Sequence, residues 1–405
     1  MDSLVILTSR FPYPPGEEFL KGEIEELSKF FSAIKIMPVT YPIDEDKQKE
    51  IPKNVAVIKP LGSSGKAGRV LQMLGDFQAM RWFMSELPNA SKIGIKAVLK
   101  LLNWTAIASE IKRALEKGQI DSNAIYYSYW LTPSATSLAM LKEKGIIQTA
   151  VSRVHGGDLY QERHQPPYLP FQKKVISILN QTYSISANGK EYLTKLHQLP
   201  EGKITISRLG TKNEHPFQAL IGSSHSLRII SCSYLKPVKR IHLLVEALKK
   251  VGVIVEWTHI GDGPERGKIE NMMKELPENI SARLLGNLNN HEVIQNYEQH
   301  SYDLFINVSE SEGIPVTIME AYSFGIPAIA TDVGGTSELV NPDNGYLLPK
   351  EFTPRELADR LEEFHRLDAD SKSKKSRSAY YTWDQNYNSQ NNYKKFTDDL
   401  KGVSL

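Results

Sequence analysis

Two carboxylates eight positions apart, Glu312 and Glu320, flank the turn Gly313-Ile314-Pro315-Val316 in the stretch SESEGIPVTIMEAYSFGIPAIATDVGG. The apolar run before them predicts a strand over 303–308. A helix should follow from about Pro315, whose fixed φ suits a first helical turn. Glu312 then lies on the loop at the strand's carboxyl end, where open parallel sheets bind ligands, and Glu320 lies more than one turn into the helix. Such a pair is poorly placed to exchange a proton, because each carboxylate meets different neighbours. It is better suited to gripping vicinal hydroxyls, since each oxygen can accept a charge-assisted hydrogen bond. Taken alone, the pair reads more simply as a solvent-facing loop residue and an ordinary helix former. Around it, the N–H groups of Gly313, Ile314 and Val316 at a helix start would attract an anion such as phosphate, while Pro315 has no N–H to offer.

Two further places could do chemistry. Lys239 is expected at the start of a helix, where an ammonium opposes the dipole unless an anion sits beside it. His155 follows a predicted strand and precedes Gly156-Gly157, which permit close approach of a ligand. Asp158 could orient the His155 ring or act as a helix N-cap.

The elements that must position these groups alternate from end to end between short β-rich runs and helical periodicity, the pattern of parallel sheets covered by helices on both faces. In the first half, strands are predicted over 4–9, 34–40, 55–59, 124–130, 149–154 and 182–187, with helices near 17–30, 67–86, 92–117, 133–144 and 188–197. Residues 210–226, polar and rich in turn formers, read as a linker. The second series predicts strands over 228–233, 255–260, 282–285, 303–308, 328–331 and 346–348, with helices near 240–250, 265–276, 290–300, 315–324 and 354–367. The charged stretch 368–378 reads as a hinge before a closing aromatic helix. The expected domains are 1–209, 227–378 and a C-terminal helix, 379–405.

At this point the chain resembles the retaining GT-B glycosyltransferases of family 4, over almost its whole length. The family's Glu-x7-Glu signature stands as Glu312 to Glu320. Its "EAMAxGxPVVAT" run corresponds to Glu320-Ala-Tyr-Ser-Phe-Gly325-Ile-Pro327-Ala-Ile-Ala-Thr331, and its "GGxxE" element to Gly334-Gly335-Thr-Ser-Glu338. Ile260-Gly261-Asp-Gly263-Pro264 is similar to the "GDGP" strand end, and Leu284-Leu285-Gly-Asn-Leu288 to the element lining the nucleobase pocket. Five elements in order are a specific signal. The "GRLxxxKG" stretch stands as Ser233-Tyr234-Leu-Lys236-Pro-Val-Lys239-Arg240, with Lys239 on the family lysine but Tyr234 on the arginine and Arg240 on the glycine. Lys236 or Arg240 could supply the missing charge, or stabilisation of the leaving group rests on Lys239. Val154 to Tyr160 resembles "HGxDxY", and Arg10 to Phe19 a glycine-containing first loop that retains only Gly16.

The resemblance implies a GT-B fold, two Rossmann-like doubly wound α/β domains facing a central cleft, with the C-terminal helix crossing back. It implies transfer of a hexose-like sugar from a nucleoside diphosphate sugar, such as a UDP- or GDP-sugar, with no cofactor and no metal. The acceptor would be a saccharide or lipid-linked saccharide in bacterial surface polysaccharide or glycolipid assembly. Lys239 and the amides of residues 313–314 would hold the diphosphate, Glu312 the sugar, Glu320 the ribose, and His155 the sugar from the other domain. A nucleotide-sugar epimerase and an inactive sugar-nucleotide-binding subunit are the rival readings.

Composition bounds the rest. The 405 residues suffice for two cores, and 40% hydrophobic with 24% charged residues is a globular balance. No apolar run is long enough to span a bilayer, and the first residues do not read as a secretory signal, so a cytoplasmic protein is expected. One cysteine, Cys232, excludes an internal disulfide framework and reads as core filler. Residues 1–210 hold 27 Lys+Arg against 20 Asp+Glu, and residues 211–405 hold 22 against 27. Much of the basic surplus lies between Lys59 and Lys100, interleaved with apolar residues. That segment suits either an anionic membrane surface or two amphipathic helices with their charges in water. Nucleic acid fits poorly, for want of any recognition signature.

Overall fold

The computed structural model describes residues 3–14, 16–17, 20–40, 44, 47–58, 65–118, 120–217 and 225–403. Lys59, the middle of the expected linker (218–224) and parts of the first loop (15, 18 and 19) lie outside the described residues. The chain forms two units, residues 1–208 with 392–405, and residues 209–391.

In the first unit the elements run β1 (Ser3–Thr8), α1 (Leu20–Leu27), β2 (Ala33–Pro38), β3 (Val55–Val57), α2 (Lys66–Leu74), α3 (Phe77–Ile93), α4 (Ile95–Lys117) and β4 (Ile125–Ser128). They continue through α5 (Pro133–Glu143), β5 (Thr149–Val154), α6 (Gly156–Leu159), α7 (Gln172–Ile178), β6 (Gln181–Ser184), α8 (Ala187–His197) and β7 (Ile204–Ile206). The second unit holds β8 (Leu227–Cys232), α9 (Ile241–Leu248), β9 (Val255–Ile260), α10 (Arg266–Met273), β10 (Ile280–Leu284), α11 (Asn290–Gln299) and β11 (Leu304–Asn307). Then come α12 (Val316–Ser323), β12 (Ala328–Thr331), β13 (Gly345–Leu348), α13 (Pro354–Arg366) and α14 (Ala369–Asn386), and last α15 (Ser389–Val403), most of which belongs to the first unit.

Both sheets are wholly parallel in their recorded pairings, with orders β3-β2-β1-β4-β5-β6-β7 and β10-β9-β8-β11-β12-β13. Alternation along β1 feeds two cores, Leu4 and Ile6 to one face and Val5 and Leu7 to the other, so each face carries its own helical layer. In each sheet the strand order reverses between two neighbours, β1 and β4, then β8 and β11. In open parallel sheets the carboxyl edge at such a reversal is where ligands bind.

Three expectations are corrected. The single helix expected over 67–86 is two, because Asp76 breaks from helical geometry and caps α3 by accepting from the Ala79 N–H at 3.2 Å. The expected hinge at 368–378 is the first half of α14. Asp368 caps it by accepting from the Ser371 N–H at 2.7 Å, Lys374 pairs with Asp370 one turn back, and Lys372 and Ser376 are buried. The aromatic tail beyond 378 is accordingly two helices, α14 and α15, joined through Tyr387 and Asn388. Strand β7 and helix α7 were not anticipated.

The last helix is fixed by more than apolar contact. Phe396 and Leu400 complete the core beneath β1 and α1. Arg153 lies 4.2 Å from the Phe396 ring centroid, pairs with Glu23 at 2.6 Å and donates to Ser207 Oγ at 3.1 Å, and both charged side chains are wholly buried. Such a pair is retained only while both partners remain, because either charge alone would be stranded away from water.

Candidate functional site

The residues that could do chemistry collect at the two reversal points. In the second unit, the loop after β8 and the loop after β11 are joined by the Lys239–Glu312 pair, with Nζ donating to Oε1 at 2.6 Å. Asn307, at the end of β11, lies 3.4 Å from the same oxygen. Glu310 N–H donates to Val238 O at 2.8 Å, so backbone as well as side chains holds the two loops together. Lys239 does not begin a helix. It closes a 3-10 turn over 237–239, and α9 starts only after Arg240.

Arg240 has a left-handed backbone, φ 50°, and a buried side chain. Its guanidinium donates to Val308 O at 2.8 Å, Lys350 O at 2.8 Å and Ser309 O at 3.2 Å, and reaches Thr331 Oγ1 at 3.3 Å. These groups lie at or just beyond the ends of β11, β12 and β13. Arg240, expected at the donor, braces these loops with four of its five N–H directions. Tyr234 is 54% exposed, and Leu285 is also on the surface.

The helix starts one residue later than expected, because Pro315 is the N-cap and α12 begins at Val316. No acceptor among the described residues takes the N–H of Gly313, Ile314 or Val316. Their loop is backed by close backbone. A Cβ on Gly334, whose φ is 58°, would sit 2.1 Å from Glu312 O, and Gly335 N–H donates to Gly313 O at 2.6 Å. Gly261 and Gly263 serve likewise: a Cβ at either would strike Ser233 O at 1.9 Å or Leu235 O at 2.4 Å. Their smallness lets two loops pack, which is a separate requirement from approach of a ligand.

Glu320 is buried on α12 and accepts from Asn290 Nδ2, at the start of α11, at 2.7 Å. Burial pushes its carboxyl up to about 7, against the opposing effect of that hydrogen bond. The Cys232 thiol is pushed up to about 12, by burial first and then by the charge of Glu320.

In the first unit, His155 follows β5 and is 7% exposed. Its ring lies 4.4 Å from Trp130 and 4.7 Å from Tyr129, centroid to centroid, and neither ring nitrogen has a hydrogen-bond partner among the described residues. Burial, then the charge of Arg153, holds the imidazole well below its ordinary pKa, so it is neutral at physiological pH. Asp158 neither orients the ring nor caps the helix as its first residue. It is the third residue of α6, and its carboxylate accepts from the His155 N–H at 2.6 Å and the Leu131 N–H at 2.5 Å. Gly16 turns the first loop at φ 95° with open space around it. Asn290, Asn307 and Trp130 went unnoticed in the sequence. Only the strand end just before Asn290 carried a signal.

The raised carboxyl of Glu320 fixes a sign. Its proton is bound more tightly in the folded chain, so the stability it contributes is complete below about pH 4.5 and is lost as pH rises through about 7. Glu320→Gln removes that loss. The variant's unfolding free energy minus the wild type's, from urea titrations without ligand, should grow by up to about 3 kcal/mol between pH 4.5 and pH 8. A difference independent of pH would show that the carboxylate is solvated.

Comparison with known proteins agrees with this geometry. Residues 217–381 match the family described as Glycosyl transferases group 1. Over 251 residues the chain is 30% identical to WcaL of Escherichia coli strain K12, a glycosyltransferase named for colanic acid biosynthesis, covering 59% of this chain and 61% of that one. It is 31% identical over 185 residues to the GtfA subunit of a UDP-N-acetylglucosamine–peptide N-acetylglucosaminyltransferase of Streptococcus agalactiae, covering 44% and 34%. The chain thus spans about three fifths of the length of WcaL and about one third of that of GtfA. Among solved structures, the lipopolysaccharide outer core galactosyltransferase WaaB, in its apo form, matches with a TM-score of 0.71 at 16% identity over 100% of both chains. Anabaena HepE in complex with UDP matches with a TM-score of 0.67 at 14% identity, covering 99% and 100%. At such identities the likeness carries the fold, which is GT-B. The match to the glycosyl transferases group 1 family spans residues 217–381, which lie within the second unit.

Proposed function

We propose that the protein moves a hexose-like sugar from UDP or GDP to a hydroxyl of a saccharide or lipid-linked saccharide, with retention at the anomeric carbon, in assembly of a bacterial surface polysaccharide or glycolipid. The observation that carries this reading is the meeting of Lys239 and Glu312 at the reversal point of the second sheet, beside three amides that no acceptor among the described residues takes. In the step itself, the bond from the sugar's anomeric carbon to the β-phosphate oxygen breaks and its electron pair stays with the diphosphate. The acceptor hydroxyl bonds to the same face of that carbon, and its proton passes to the departing phosphate. Lys239 and the amides of Gly313, Ile314 and Val316 stabilise the growing negative charge. Glu312 accepts from sugar hydroxyls and Glu320 from the ribose. These groups take the charge without a metal, so transfer should survive EDTA. The name of WcaL and the UDP bound by HepE support the polysaccharide context and the class of donor.

A panel of UDP- and GDP-sugars, incubated with and without a bacterial membrane extract in EDTA, tests this. Nucleoside diphosphate should be released with one donor and should depend on the extract, with the sugar recovered in an α linkage from an α-linked donor. A new nucleotide sugar formed from the donor alone would instead indicate an epimerase.

The reading also places the protein at the cytoplasmic face of an anionic membrane. No described helix is long and apolar enough to cross one. Yet Leu71, Leu74, Phe77, Ile93, Ile95 and Leu99 of α2 to α4 stand exposed, Phe77 at 85%, with Lys92 and Lys96 exposed among them. Apolar residues interspersed with exposed cations suit the boundary between headgroups and acyl chains. Vesicles containing phosphatidylglycerol should sediment the protein at low salt while neutral vesicles do not. Lys92→Glu with Lys96→Glu should weaken that binding by about tenfold or more. Equal binding to both kinds of vesicle, or to neither, would remove this part of the reading.

A further inference from the structure

The first unit holds a network that the proposed chemistry does not use. Glu17, in the loop after β1, has a left-handed backbone at φ 55°, a conformation unfavourable for a non-glycine residue. Its carboxylate gathers four donors: the N–H groups of Ser9 at 2.8 Å, Arg10 at 2.7 Å and Phe11 at 2.8 Å, and the indole Nε1–H of Trp130 at 2.7 Å. Three of these close the loop on itself. The fourth reaches across the reversal point to the loop after β4 and fixes the rotation of the Trp130 ring. That ring lies against His155, from the loop after β5. One carboxylate therefore aligns three neighbouring loops at the carboxyl edge of the first sheet.

Trp130 is half-buried, whereas Trp82, Trp257 and Trp383 are fully enclosed. Its polar atom is already satisfied by Glu17, so what it offers a ligand is an apolar ring. Beside it His155, more than nine-tenths buried, has two ring nitrogens without partners among the described residues, and in the neutral imidazole one donates and the other accepts. An immobilised aromatic face next to an unfilled donor and acceptor matches a pyranose, which presents an apolar C–H face and hydroxyls at its rim.

We propose that Trp130, its indole held by Glu17, is the stacking wall for a pyranose ring whose hydroxyl is taken by His155, with Glu17 as the positioning residue. The proposal rests on the transferase reading for the identity of that ring, which is either the donor's sugar or the acceptor's.

The test begins with binding. Tryptophan emission is titrated with UDP and GDP, then with UDP-glucose, UDP-galactose, UDP-N-acetylglucosamine and GDP-mannose, and finally with lactose and maltose. A change given by a sugar-bearing ligand but not by the bare nucleotide, and absent in Trp130→Phe, is expected. In turnover, Trp130→Ala should raise KM about tenfold with kcat within about threefold, and Trp130→Phe, which keeps a ring, should restore most of the loss. A rise in donor KM assigns the ring to the donor, and a rise in acceptor KM assigns it to the acceptor. Glu17→Gln should fall between the two variants, with a melting temperature near that of the wild type. If Trp130→Ala is folded by its melting curve, leaves both KM values unchanged, and shows the same emission response as the wild type, the wall does not exist. The emission titrations need no turnover, so failure of the stacking proposal and failure of the transferase reading give different results.

Discussion

An ammonium and a carboxylate 2.6 Å apart, on loops from adjacent strands, are the constraint on which the second unit's site depends. Lys239 and Glu312 are each mostly but not wholly covered, at 21% and 12% exposure. Their attraction is therefore stronger than that of a surface pair, while water and ligands still reach them. The lysine has three N–H donors and spends one on Glu312, so the pair is a holder with capacity to spare. Glu312 fixes the position of the ammonium beside the loop that leads into α12.

That arrangement is costly to keep unless its loops are rigid, and the surrounding residues supply the rigidity. Arg240 binds carbonyls beyond two strand ends and touches a hydroxyl at a third. Gly261, Gly263 and Gly334 let two other turns, those after β9 and β12, come within contact distance of the same loops. The first unit solves the same problem differently. There a single acidic side chain, Glu17, gathers backbone and indole donors, and a buried Arg153–Glu23 pair anchors β5 beneath His155. In both units the reversal of strand order makes the opening and polar cross-links between loops fix its walls.

The sheets were largely legible in the sequence because strands buried on both faces read as apolar runs. The expected spans 149–154, 255–260 and 328–331 coincide with β5, β9 and β12. Failures came where local polarity outweighed periodicity. The Lys- and Ser-rich start of α14 reads as a hinge, yet a cap, an ion pair and burial of a few side chains suffice for a helix. Asp76 breaks a helix that apolar spacing alone would continue. Of the site, residue identities were visible but pairings were not. Spacing cannot reveal that Lys239 meets Glu312 across 73 positions, or that Asn290 meets Glu320 across 30. Arg240 looked like a phosphate ligand because a cation is conspicuous in sequence, whereas the carbonyls that occupy it are carried by every residue.

The account stands on Lys239 as the principal cation that receives a diphosphate. Calorimetric titration of UDP and GDP into the wild type and Lys239→Ala tests it most directly, with uridine and guanosine as controls that lack phosphate. The account predicts a loss of about tenfold or more for the preferred diphosphate, no change for its nucleoside, and an unaltered melting temperature without ligand. Equal diphosphate affinity in the folded variant would contradict it.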